Sequence, residues 1–342
     1  MPMQVRTSFA SCIVLSLLAL GGCGGGSSDS GGTGGGSDGG LTLAQRTQAA
    51  STTALNNALC VNIKPFYWEI GDKSAALASA SVPGTGSQSY SASTNMPIAS
   101  ASKWFYSTYF VQKKKETNAE LSATDIKFFN FWSGYTNFSP TACEEATTVG
   151  NCLDIPNQGT TQGTFVAATE NKFDYGGGHM QKHAAINGLA GLDIAHLATE
   201  IQSQIGADVG IRYGSPQLAG GVVTSAAEYG KMLRKIVGGT LVMNTVLGTH
   251  PVCVDPATCP QAISTPSPRG EQWHYSIGHW LEDDPAVGDG AFSSPGAFGF
   301  YPWIDKTKAY YGIVARVDPT GAITSVQCGR LIRKAWVTGT AQ

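Results

Sequence analysis

The chain has no excess of either charge: 22 Lys and Arg stand against 24 Asp and Glu in 342 residues, a formal net charge of -2. That balance excludes the broad basic surface a nucleic-acid partner requires. The basic run Lys113-Lys114-Lys115 reads as a solvated helix terminus complementing the helix dipole. Long apolar runs are also missing. The stretch Phe9 to Leu20 is shorter than the roughly 20 residues that span a bilayer. The one G-x-S-x-G, Gly35-Gly36-Ser37-Asp38-Gly39, lies in a Gly- and Ser-rich stretch with no strand before it or helix pattern at it, so no nucleophile elbow of an α/β-hydrolase is present. There is no H-E-x-x-H: His179 and His183 have i, i+4 spacing, but no glutamate and no third ligand accompany them, so no metal and no cofactor are expected. Paired C-x-x-C knuckles are absent too, which argues against structural zinc. No internal repeat is evident.

What is present is a core-forming composition, 42% hydrophobic, preceded by a segment that cannot form a core. From Gly24 to Gly40 nearly every residue is Gly or Ser, a flexible tether with an rms span of roughly 20 to 25 Å. Before it, Arg6, the apolar stretch and Leu20-Gly21-Gly22-Cys23 resemble a bacterial lipoprotein signal. The resemblance implies cleavage after residue 22 and lipidation of Cys23. It also implies an exported protein held at the cell envelope, at the periplasmic face or outer membrane, with Gly24 compatible with outer-membrane sorting. The domain organisation expected is therefore 1–22 signal, 23–40 lipidated cysteine and linker, and 41–342 a single domain.

Six further cysteines suit an exported, disulfide-bonded domain. Fifteen pairings are open. Cys143 with Cys152 and Cys253 with Cys259 would close short polar loops, leaving Cys60 for Cys328.

Leu41 to Leu59 reads as a helix, and Phe66 to Ile70 with Ala75 to Val82 read as a hairpin about Gly71-Asp72-Lys73-Ser74. Ala309 to Val317 reads as a strand and Ile323 to Trp336 as a terminal helix. Helical patterns fill the middle: Lys103–Lys113, Gly178–Leu189, Leu192–Ile205 and Ser225–Ile236. Strands at both ends around a helical insert indicate an α+β fold with an antiparallel sheet.

Ser100 and Lys103 form S-x-x-K at the start of an apolar helical run. The i, i+3 spacing puts an amine beside a hydroxyl on one helix face, and a desolvated lysine shifts toward its neutral, basic form. The context resembles the serine β-lactamase and penicillin-binding protein superfamily, in particular the branch of class C β-lactamases and family VIII carboxylesterases. Ile98 to Phe105 is similar to its nucleophile segment, Phe173-Asp174-Tyr175-Gly176-Gly177 to its tyrosine motif, and Ala219-Gly220-Gly221 to its Gly-Gly segment. Tyr275 to Trp280 resembles the strand before the last motif, Ser293 to Gly299 stands in the place of K-T-G, and Tyr301 to Asp305 resembles the strand that follows.

The resemblance implies an acyl-enzyme serine hydrolase in which Ser100 attacks a carbonyl. Tyr175, its phenol acidified by Lys103, takes and returns the proton, and the backbone N–H groups of Ser100 and Ala297 hold the oxyanion. Gly177, Ser294 and Gly296 are the positions expected to touch substrate. Two of them depart from the lactamase pattern: Gly177 replaces an asparagine and Ser294 a cation, which argues against penicillins and D-Ala-D-Ala peptides. A carboxylesterase on neutral esters, small or oligomeric, is therefore expected. Amide hydrolysis on the same fold, as by β-lactamases, DD-peptidases or oligoamide hydrolases, and a catalytically silent envelope-binding lipoprotein are the alternatives. Trp273, Trp280, Phe300, Tyr301 and Trp303 are candidates either for an acyl pocket or for core, and Glu282-Asp283-Asp284 reads as a solvated turn.

Overall fold

The computed structural model describes residues 40–342. The expected signal, the lipidation site Cys23 and nearly all of the linker lie outside the described residues. Thr42 opens the first helix, α1 (Leu43–Asn56), with a capping box to Gln45. Its buried residues, Arg46, Ala49, Ala50, Thr53 and Ala54, recur every three or four positions and so form one face. Asn57 stops it in extended conformation and caps the short turn Ala58–Val61, so the expected helix is split in two.

Next comes the expected hairpin, β1 (Phe66–Gly71) and β2 (Ala76–Val82), whose turn is closed by Asp72 Oδ1 accepting from the N–H groups of Ser74 and Ala75. The remaining strands of the main sheet come late in the chain: β3 (Val252–Cys253), β4 (His274–Ser276), β5 (His279–Glu282), β6 (Ala291–Ser293), β7 (Tyr301–Ile304) and β8 (Tyr311–Ala315). Their order is β2-β1-β8-β7-β6-β5-β4-β3, antiparallel throughout, so the first and last strands of the chain are neighbours, with Tyr67 opposite Ala315. Buried Phe66, Ile70 and Val314 each contribute about 2 kcal/mol relative to exposure.

Helices cover both faces. The central helix α2 (Ser102–Glu116) is buried from Ser102 to Val111, all round its first ten residues, and links the sheet to the insert. The insert holds α3 (Ala123–Phe129), α4 (Gly178–Ala184) and α5 (Ile194–Ile205), the last begun by Asp193 accepting from Ala195 and His196 N–H. α6 (Ala226–Val237) and the terminal α7 (Ala322–Thr338) take opposite faces of β8. Tyr311 meets Arg234 of α6, whereas Val314, an odd number of residues on, lies against Gly329 of α7. α1 packs on α7, so the two ends of the described chain form one layer.

Disulfides join Cys60 to Cys328, Cys143 to Cys152 and Cys253 to Cys259. Among the described residues no helix is long and apolar enough to cross a membrane, and no cluster of side chains is suited to a metal ion.

Three local expectations are corrected. Tyr275 to Trp280 is not one strand but the hairpin β4–β5, turning at Ile277 (φ 33°) and Gly278 (φ 76°). The helix expected over Gly178–Leu189 kinks at Asn187 and Gly188. Glu282 is not in a solvated turn. It is fully buried at the end of β5, 2.8 Å from Arg330 and 2.9 Å from Arg333 and accepting from the Tyr301 hydroxyl, because two arginines one turn apart on α7 lie against that strand. Asp283 pairs with His274, and Asp284 accepts from the N–H groups of Gln272, Ala286 and Val287.

Candidate active site

The segment before Ser100 is fixed from the insert side. Met96-Pro97 pairs with Val223-Thr224, and the Ile98 N–H donates to Val222 O. Ala99 then takes φ 44°, a left-handed conformation that costs a non-glycine residue about 1 kcal/mol and turns the chain into the short helical stretch Ala99–Ala101 running into α2. Ser100 emerges at that bend, partly exposed. One turn on, Lys103 is 4% exposed, and its Nζ lies 2.9 Å from Ser100 Oγ and 2.9 Å from the Ala219 carbonyl oxygen. Both partners are neutral. With no carboxylate in contact, burial pushes the lysine down to about 7. The Gly-Gly segment supplies that carbonyl through a turn that only glycine closes: a Cβ on Gly221 would sit 2.3 Å from Ser215 O.

Tyr175 arrives from the insert. Its N–H donates to Ser264 O, and its ring stacks on Trp280 at 5.2 Å with Phe131 and Tyr275 edge-on. Lys103 Nζ lies 4.8 Å from the ring centroid. One edge of the ring opens on a cleft, but burial of the phenol pushes it up to about 12, with Ser100 and Trp280 pulling the other way. Of the two candidate bases, the lysine is therefore the one poised near neutrality. Burial thus moves the lysine down and the phenol up, the opposite direction from the acidified phenol that the resemblance implies.

The third wall is the turn after β6. Gly296 N–H donates to Phe300 O and Gly299 N–H to Gly296 O, so the turn's own hydrogen bonds do not start from Ala297. Ala297 is exposed on the cleft. The cleft is small, about 150 Å³, and is lined by Ser100, Tyr175, Trp273, Trp280, Ala297 and Ile323 with Pro266, Ser267, Pro295 and Ala322. None of these side chains is charged.

A scan of protein-family models gives no match, and neither does a search of curated proteins. Solved structures do match. A D-stereospecific amidohydrolase from Streptomyces superposes with a TM-score of 0.56 at 12% identity, covering 88% of this chain and 100% of its own. EstCE1, a hydrolase with promiscuous acyltransferase activity, gives 0.56 at 12% over 86% and 98%. An octameric penicillin-binding protein homologue from Pyrococcus abyssi gives 0.57 at 12% over 81% and 74%.

The chain has the serine β-lactamase and penicillin-binding protein fold.

Within this fold, Ser100, Tyr175 and Ala297 line one cleft with Lys103 buried behind Ser100, whereas the three positions expected to touch substrate do not line it. Ser294 is 3% exposed and turns its hydroxyl to the Ser100 carbonyl at 3.2 Å. Gly296 is pressed on the nucleophile segment: a Cβ there would lie 2.1 Å from Ile98 O. Gly177 begins α4 against Phe138, 2.5 Å from where its Cβ would be. Of the five candidate aromatics, Trp273 and Trp280 line the cleft, and Phe300, Tyr301 and Trp303 are core. The prolines, Ala322 and Ile323 had no signal in the sequence, since a lone residue at a helix start marks no site. His179 and His183 are buried separately: His179 contacts Ser133 Oγ and Asp174 O, and His183 contacts the Tyr106 hydroxyl and Asp125. A larger cavity of about 820 Å³, bordered by α7, contains neither Ser100 nor Tyr175, so size does not locate the chemistry.

Proposed function

We propose that the chain is a serine hydrolase working through an acyl-enzyme and that its substrates are neutral carboxylic esters. The observation that carries the reading is Lys103, buried without a counter-ion 2.9 Å from the hydroxyl of Ser100. A buried lysine held next to a hydroxyl at a cleft is costly as structure and useful as a base. Neutral Lys103 takes the Ser100 proton as Oγ attacks the carbonyl carbon. The N–H groups of Ser100 and Ala297 receive the oxyanion, a contribution of about 3 kcal/mol per donor. Tyr175, protonated, gives its proton to the leaving alkoxide and recovers one from Lys103. Water then adds to the acyl-enzyme with the same base. The uncharged cleft and the inward turn of Ser294 support esters over substrates that need a cation for a carboxylate.

Export and a lipid anchor at Cys23 belong to the same proposal. The signal-like start and three disulfides in the domain support them. The test is fluorophosphonate labelling followed by intact mass, with p-nitrophenyl butyrate and nitrocefin turnover, on the parent and Ser100→Ala. Labelling of the parent alone, with ester turnover exceeding lactam turnover, is expected. A folded parent that neither labels nor turns over ester would sink the reading. In the same cells Cys23→Ser should move the protein out of the membrane fraction, and retention there would remove the anchor.

A further inference from the structure

We infer that Trp273 is the partition that limits the acyl group of the substrate to a short, uncharged chain. The inference rests on the esterase reading and adds to it the size of the acyl group and the residue that sets it.

The cleft beside Ser100 holds about 150 Å³. At about 30 Å³ per water-sized group, that is room for about five non-hydrogen atoms. Trp273 lines it, 2% exposed and edge-to-face with Trp280 at 5.6 Å and 71°. The indole is clamped from the other side. Its Nε1–H donates to Glu271 Oε2 at 2.7 Å, and the Arg330 guanidinium lies 4.9 Å above the ring. Arg330 is itself held by Glu271 at 2.7 Å and by buried Glu282 at 2.8 Å. An aromatic wall with its N–H bonded and a guanidinium on its face does not swing aside for a longer chain.

Behind the clamp there is space. Glu271 and Arg330 both border the 820 Å³ cavity, whose other walls include Leu59, Val287 and Leu331. The indole thus closes a cleft that fits a butyryl-sized group, and behind it Glu271 and Arg330 separate it from a cavity that would take a far longer one. The cleft walls near it, Trp280, Pro266 and Ile323, offer no counter-ion, so a charged acyl group would be desolvated without compensation.

The experiment is a chain-length series on the full chain, p-nitrophenyl acetate, butyrate, hexanoate and octanoate, for the parent, Trp273→Phe, Trp273→Leu and Trp273→Ala. For the parent, kcat/KM is expected to fall at least about tenfold from butyrate to octanoate, the scale of discrimination a closed apolar pocket gives. Trp273→Phe should keep the cutoff. Trp273→Leu and Trp273→Ala should raise the octanoate-to-butyrate ratio about tenfold or more, and the leucine variant answers if the alanine variant does not fold. A parent indifferent to length, or folded leucine and alanine variants with the parent's ratio, overturns the inference. Saturation-transfer NMR of butyramide and octanamide on Ser100→Ala reads the same pocket without turnover. Selective butyramide binding by a protein that hydrolyses no ester would sustain the partition and reject the esterase reading; equal binding of both amides would reject the partition.

Discussion

Lys103 is held where water cannot solvate its charge, and in the proposed reaction one residue thereby links activity to stability. Its ordinary value is 10.5 and burial brings it to about 7. Between those values the unfolded chain carries a proton that the folded chain does not, so unfolding takes up a proton and stability rises with pH across that window. Below about 7 both states are protonated and the loss is complete. Activity moves in the same direction, since the base works only when neutral. We expect kcat/KM to rise through about pH 7 to a plateau that lasts until Tyr175 ionises near 12. Lys103→Met should abolish turnover and, at pH 6, raise stability by about 2 kcal/mol, measured by denaturant melts. A pH profile flat from 5 to 9, or a methionine variant less stable than the parent, would refute this account. The pairing of Ser100 with Lys103 was legible from its i, i+3 spacing. Which group serves as base was not, because the order of the two titrations depends on burial and not on motif.

The short turns of the site are built by contact between distant segments. The turn after β6 fits against Ile98 only because Gly296 has no side chain, and the same Ile98 carbonyl lies two residues before the nucleophile. Gly296→Ala should leave the far-ultraviolet circular dichroism unchanged while slowing fluorophosphonate labelling about 100-fold, since a displaced turn takes the Ala297 donor out of reach. Labelling at the parent rate would show that the contact is dispensable. Elements whose boundaries are written in local chemistry were readable: the Asp72 turn, and the helix start at Ser225, where a side chain accepts from backbone N–H groups. Elements set by tertiary contact were not. Ile277 at φ 33° is a poor turn residue on its own, and Glu282 looks solvated until Arg330 and Arg333, about fifty residues on, are brought beneath it.

At the scale of the molecule, the sheet closes by placing β1 beside β8, and the disulfide between Cys60 and Cys328 spans 268 residues across that closure. Such a loop restricts the unfolded chain far more than the 6-residue separation of Cys253 and Cys259. Chain entropy gives about 6 kcal/mol for the first and about 2 for the second. Cys60→Ser with Cys328→Ser should therefore lower stability more than Cys253→Ser with Cys259→Ser in denaturant melts, and the reverse order would refute the ranking. The α+β arrangement was legible because strand patterns stood at both ends and helical ones between. The strand order was not, since nothing in β1 names β8 as its partner.

That closure also sets when the site comes into being. Ser100 and Lys103 are early in the chain, whereas the walls around them, Trp273, Trp280, Ala297 and Ile323, come from its last quarter, and Cys60 waits for Cys328. A chain still being made carries the serine and the lysine without the burial that, in the proposed reaction, makes the lysine a base and without the turn proposed to hold the oxyanion. On the proposed mechanism, hydrolytic competence is thus a property of the finished molecule.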